Sequence, residues 1–156
     1  DYIKDRRDRD RDRDSSGPVL TNLTARSLLM ACHEGRVEIA RLLLESGAAV
    51  NRPAPNGATP LSAACEGGHL EIARLLRDTG ASVNQAAVNG VTPLFVACLK
   101  GHLECARLLR DAGAAVSQAT DKGTTPLFVA CQKGQLECVR LLLGAGAAVD
   151  QAKDDG

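Results

Sequence analysis

Thr-Pro-Leu returns every 33 residues, and almost everything else in the chain returns with it. Thr59-Pro60-Leu61-Ser62 is followed by Thr92-Pro93-Leu94-Phe95 and by Thr125-Pro126-Leu127-Phe128. Cys32, Cys65, Cys98 and Cys131 keep the same step, as do Gly47, Gly80, Gly113 and Gly146. A fixed period of this length predicts a stacked array, because one unit cannot bury its apolar face alone and must cover it with its neighbours. Such arrays present extended surfaces for binding and lack a closed pocket for chemistry.

The unit 54–86 shows how each repeat should fold. Gly57 marks a turn. Thr59 suits a helix N-cap, and Pro60 falls at the first helical position, where its missing N–H does no harm. Leu61, Ala64, Cys65 and Gly68 then share one helical face, and Gly67-Gly68 ends the helix. A second helix is predicted from about His69. Glu71 lies in its first turn and Arg74 and Arg77 lie toward its end, each matching the helix dipole. Ile72, Leu75, Leu76 and Thr79 form one stripe and Leu70, Ala73 and Leu76 another, so this helix should be covered on two sides. Gly80 is the predicted stop, and 81–89 should cross to the next turn.

Composition selects the fold class. Hydrophobic residues make up 44% of the chain, aromatics only 2%, and there is no Trp. A core of Leu, Ala and Val fits closely packed helices better than a sandwich with an aromatic interior. We therefore expect an all-α solenoid over 21–156, in units 21–53, 54–86, 87–119 and 120–152, with a stub at 153–156.

Residues 1–20 stand apart from this pattern. Arg7 to Asp14 alternates Arg and Asp, and the segment offers too little apolar surface to offset the entropy of ordering it. It reads as a solvated, disordered arm, either native or a fused segment. Its Asp residues cancel its Arg residues, so phosphate attraction should be weak. The whole chain balances 19 basic against 19 acidic residues, which gives no argument for nucleic acid or an anionic membrane. No apolar run reaches the roughly 20 residues needed to span a bilayer, and Asp1-Tyr2-Ile3-Lys4 has no apolar core of a signal peptide. The chain reads as a fragment of a longer protein.

The six cysteines raise the question of disulfides or metal. Cys32, Cys65, Cys98 and Cys131 are equivalent positions in successive units, as are Cys105 and Cys138. Stacked helices lie about 8–10 Å apart, beyond the roughly 7 Å that a disulfide spans without backbone movement. There is no C-x-x-C pair. The cysteines therefore read as small core residues in a reducing compartment, cytoplasm or nucleus. No metal or cofactor is expected: His33, His69 and His102 sit in different units without carboxylates at ligand spacing. Nucleotide-binding, zinc-protease and serine-hydrolase motifs are absent, so the chain reads as non-enzymatic.

The pattern G-x-T-P-L-x-x-A, then G-H-L-E, R-L-L and G-A-x-V-N, resembles the ankyrin repeat across about 21–156. The resemblance implies helix–turn–helix units with projecting β-hairpin loops, and protein partners bound by loop tips and the concave face of the first helices. It also implies structural roles for His69 and His102, and a loop-stabilising role for Asn51 and Asn84. The family His after Thr-Pro-Leu is Ser62, Phe95 or Phe128 here, so its hydrogen bonds must be lost or replaced. The first unit has Arg26-Ser27 in place of Thr-Pro.

Carrying the family's contact positions onto this sequence puts Asn22, Leu23 and Ala25 on the first loop. It assigns Glu34, Glu66, Val88, Val91, Phe95, Leu99, Lys100, Asp121, Lys122, Gln132 and Lys133 to the binding strip. Val88, Val91, Leu99 and Phe95 should form an apolar patch, since clustered exposed apolar groups mark interaction sites. Lys100, Lys122 and Lys133 should meet acidic groups of a protein or peptide ligand. Leu136, Leu141, Leu142 and Leu143 look like the buried helix of an internal unit. That predicts further units in the parent chain, and fraying or self-association through 120–152. Two functions follow: a non-catalytic interaction scaffold, or an adaptor segment whose enzymatic or RNA-associated partner domain lies elsewhere.

Overall fold

The computed structural model describes residues 21–150. The charged arm 1–20 and the stub 153–156 lie outside the described residues. Among the described residues there are helices joined by turns and no strand. They are α1 (21–34), α2 (Val37–Glu45), α3 (Pro60–Gly67), α4 (Leu70–Asp78), α5 (Pro93–Lys100), α6 (Leu103–Asp111), α7 (Pro126–Gln132) and α8 (Leu136–Gly144). They form four successive antiparallel pairs. First helices α3, α5 and α7 stack side by side, and second helices α2, α4, α6 and α8 form a parallel layer behind them. The chain is an all-α repeat solenoid.

Local chemistry starts and stops each first helix. The Thr59, Thr92 and Thr125 hydroxyls accept hydrogen bonds from the backbone N–H of Ser62 (3.1 Å), Phe95 (3.2 Å) and Phe128 (3.1 Å). These satisfy N–H groups that have no partner within the helix. Ser62 returns the favour by accepting from the Thr59 N–H at 2.8 Å, closing a capping box. Pro60, Pro93 and Pro126 follow the caps directly. Helix α3 ends at Gly68, whose φ of 71° is left-handed.

The first unit departs from its siblings. Asn22, Leu23 and Ala25, expected on a loop, lie within α1. Arg26-Ser27 carries no Pro, so no helix start is imposed there, and the helical run includes 21–26 as well. The Arg52 guanidinium donates to the Asn22 side chain and ties this longer helix to the following loop. The projecting loops also differ from expectation. They are tight turns with hairpin-like bonds, Ala54 N–H to Ala58 O (2.8 Å), Ala87 to Val91 (2.8 Å) and Thr120 to Thr124 (2.9 Å), without assigned strands. Val88 N–H donates to Asn56 O and Asp121 N–H to Asn89 O, both at 3.1 Å, so each turn is fastened to the one before it.

The core runs continuously through the stack. Leu28, Leu61 and Leu94 lie one above another in sequence register and are at most 1% exposed. Ala31, Ala64, Ala97 and Ala130 are buried beside them, and their small side chains let the first helices approach closely. Ile72, Ala73 and Leu76 bury the two sides expected for α4, whereas Thr79 is exposed. Its hydroxyl donates to Leu75 O at 2.6 Å at the helix end. Burying each leucine is worth about 1.5–3 kcal/mol.

Polar side chains also join units. The ring of His69 donates through Nε2 to His33 O (3.0 Å), and His102 does the same to Glu66 O (3.1 Å). The carboxamide of Asn51 accepts from the Ser82 N–H (2.8 Å) and donates to Gly80 O (3.2 Å), and Asn84 accepts from the Ala115 N–H (2.9 Å). The structural roles expected for these four residues are thus assigned bond by bond. The cysteines are buried except for Cys131, which is exposed because no helix pair among the described residues covers that side of α7. Burial pushes the Cys32 thiol up to about 12. Equivalent cysteines do not pair. Hydrogen bonding with Cys105 pushes the Cys65 thiol up and that of Cys105 down, and Cys98 and Cys138 repeat this asymmetry.

Two outcomes test this reading. At Gly68, φ is left-handed, and a Cβ would lie 2.6 Å from His102 Nδ1; at Gly80, φ is 99° but nothing stands within 4 Å. Gly68→Ala should therefore lose about 1–3 kcal/mol in urea unfolding, and more than Gly80→Ala. Equal losses would show that the His102 contact does not matter. His102→Ala should cost about 0.5–1.5 kcal/mol by removing the bond to Glu66 O; an unchanged urea midpoint would contradict it.

Candidate protein-binding groove

Two adjoining depressions run along the inner side of the first helices. The larger, about 470 Å³, lies between the turn 54–58 and the turn 87–91 and is lined by Pro55, Asn56, Ala58, Ser62, Glu66, Ala87, Val88, Asn89, Val91 and Val96. The second, about 300 Å³, continues toward α1 past Leu29, Met30, His33, Glu34 and Ala63. Asn56, Ala58 and Glu66 line both. The result is one open groove crossing three helix pairs, with Glu66 at its middle.

Each wall has a local cause. The turns are held in shape by Asn side chains: Asn56 Oδ1 accepts from the Ala58 N–H (3.0 Å) and Asn89 Oδ1 from the Val91 N–H (3.3 Å). Together with the bond from Val88 N–H to Asn56 O, these contacts set two consecutive turns at a fixed spacing. The floor comes from α3 and α5. Val96 sits one helical turn before Lys100 and therefore shares its face.

The groove is apolar with a charged centre. Val88 is 75% exposed at the rim, and Met30 is 53% exposed toward the α1 end. Glu66 has Lys100 Nζ on one side and His33 Nε2 on the other, each 4.0 Å away. All three side chains are about half exposed, so this contact is weak, of the order of 0–1 kcal/mol, and screened by salt. Glu34 pairs with Arg36 at 2.6 Å.

The sequence-derived strip therefore divides. Glu34, Glu66, Val88 and Val91 line the groove. Lys100, Asp121, Lys122, Gln132 and Lys133 are exposed farther along the array. Lys122 and Lys133 form no ion pair among the described residues. Phe95, expected in the apolar patch, is buried at 9% exposure because its ring packs into the core cluster. Leu99, also expected there, is half-buried against that cluster and lines neither depression. Pro55 and Ala58, loop positions that the family resemblance also implies, line it as well, whereas Ser62 and Val96 were missed. For Val96 the signal was available in its spacing from Lys100.

No group of three or more His, Cys, Asp or Glu is placed to hold a metal among the described residues. Among them, too, no helix is long and apolar enough to cross a membrane. A family model described as ankyrin repeats (3 copies) matches residues 15–87 and 79–153. No curated protein matches the chain. With helix pairs, capped Thr-Pro starts and fastened turns repeating at one step, and that match running over most of its length, the chain belongs to the ankyrin repeat family.

Proposed function

We propose that this chain is a non-catalytic scaffold that captures a partner polypeptide in the groove described above. Ankyrin repeats are in general protein–protein interaction modules and are typically non-enzymatic. The observation that carries the reading is the apolar depression between two hydrogen-bonded turns, with Val88 exposed at its rim and Val91 and Val96 inside it. An apolar side chain of an extended segment would lose its hydration there, and the rigid turns would spare the complex much of the entropy of ordering.

Charge sets the direction of the ligand. Lys122 and Lys133 are exposed one helix pair beyond the depression and form no ion pair among the described residues. Lys100 is shared with Glu66. The ligand we infer thus places its apolar anchor at Val88, Val91 and Val96 and its acidic groups toward Lys122 and Lys133. We further propose that residues 21–156 act as one interaction domain. Thiols filling core positions support a reducing compartment, cytoplasm or nucleus.

A random-peptide library selected on the full chain tests this. Enriched peptides should pair an apolar residue with acidic ones. Their affinity should fall about tenfold or more, equivalent to about 1.4 kcal/mol, for Val88→Asp, a rim substitution that leaves the core untouched. For Lys122→Glu with Lys133→Glu the loss should grow as salt is lowered. Peptides that bind both variants as well as the unaltered chain would place the binding surface elsewhere.

A further inference from the structure

Both ends of the stack are apolar, and they expose opposite sides of the repeat. At the first end, Ile39 on α2 is 46% exposed, whereas Ile72, Cys105 and Cys138, which hold its place in later units, are at most 1% exposed. Leu42 beside it is 61% exposed, and its equivalents Leu108 and Leu141 are buried. Met30 on α1 is exposed as well, while Ala63 and Val129 in its place are buried. These positions are covered only where a preceding unit stands against them. The last end shows the reverse. Phe128 and Cys131 on α7 are exposed, whereas Phe95 and Cys98 are buried. Leu136 at the start of α8 is 56% exposed, and Val149 beyond that helix is exposed too. Their equivalents Leu103 and Val116 are half-buried against the core. Here the cover comes from a following unit. Each end is thus one half of the interface that the stack already makes between its own units.

Polar groups match in the same sense. Asn51, Asn84 and Ser117 each accept from a backbone N–H of the next unit, that of Ser82 (2.8 Å), Ala115 (2.9 Å) and Ala148 (2.9 Å). Asp150 holds the acceptor position in the last unit, and Ala49 holds the donor position in the first. The Ala49 N–H makes no hydrogen bond among the described residues.

We propose that the chain assembles head to tail with copies of itself, the α1–α2 face of one molecule seated on the α7–α8 face of the next, where a further unit would stand.

The two faces point in opposite directions along the stack, so one molecule cannot join them and two copies can. The seated copy covers Phe128, Cys131 and Leu136 with Met30, Ile39 and Leu42, and brings the Ala49 N–H to the Asp150 carboxylate. Two α7–α8 faces set back to back would leave Ile39 and Leu42 in water and the Ala49 N–H without that acceptor. The contact is heterologous and does not close, so its product is an open series of dimers, trimers and longer rods. Burial of apolar surface drives it, against the loss of translational and rotational freedom, which makes it concentration-dependent. It is separate from the groove: Leu42 and Leu136 line neither depression.

Sedimentation velocity on the full chain over a dilution series tests this. The mass should climb with concentration beyond two chains and fall back on dilution. Leu42→Glu and Leu136→Glu each put a charge on an exposed position of one face and keep a good helix former there. Each alone should weaken association about tenfold or more. Mixed in equal amounts, they should form a heterodimer as tight as the unaltered contact and grow no further, since each supplies the face the other lacks. Circular dichroism checks that the variants stay folded; if one does not, the dilution series of the unaltered chain decides alone. The proposal is overturned if the unaltered chain stays monomeric at every soluble concentration or stops at two chains. It is overturned equally if Leu42→Glu associates as well as the unaltered chain, or if the folded mixture associates no better than its components.

Discussion

Burial in this molecule is shared between neighbours. Helix α3 has only eight residues and α7 seven, lengths at which an isolated helix is not stable in water. What holds them is the leucine and alanine surface of the adjoining pair. Leu61 is covered from both sides of its unit, and so is Leu94. The interface tolerates no thick side chain at Ala64 or Ala97, because the close approach of first helices is what excludes water from the leucines. The polar bonds between units follow from that approach. His102 reaches Glu66 O, and Asn51 reaches the Ser82 N–H, only because packing has already set the repeat spacing. Their contribution is then to fix the register of one unit on the next.

The same dependence explains the groove. Its walls are turns 54–58 and 87–91, and neither wall alone encloses anything. The bond from Val88 N–H to Asn56 O makes two turns into one concave surface. A groove of this kind belongs to the array as a whole, and its chemistry can change from unit to unit without disturbing the core. Here it passes from Met30 through Glu66 to Val88, Val91 and Val96. Glu66 is the polar centre, and it is flanked on both sides at 4.0 Å by groups that can be positively charged. A ligand that displaces Lys100 from Glu66 forfeits little, since both side chains keep much of their hydration.

Much of this was legible from the residues. Thr-Pro at a helix start has one physical meaning, and Thr59, Thr92 and Thr125 each cap as expected. The leucine and alanine periodicity marked the faces that are buried. What could not be read was whatever depends on the neighbour more than on the unit. Arg26-Ser27 removes a start signal but does not say that α1 includes 21–26 as well. Asn22, Leu23 and Ala25 were therefore assigned to a loop they do not form. Phe95 looked available for a partner because it replaces a residue that is usually polar, yet its ring turns into the core.

Phe95 and Phe128 make the point most directly. They occupy the same position of the same motif, each follows a capping threonine, and each begins a helix with Pro-Leu-Phe-Val. Phe95 is 9% exposed and Phe128 41%. The difference lies entirely in what stands beside the helix: α5 is covered by α7, while no helix among the described residues covers the far side of α7. Cys98 and Cys131 differ in the same way, one buried and one exposed. Identical residues thus take opposite roles, core or surface, according to the presence of the next pair. Recognition by a solenoid must then be argued from the assembled stack, because a motif taken alone does not say which of its apolar groups will be free to meet a ligand.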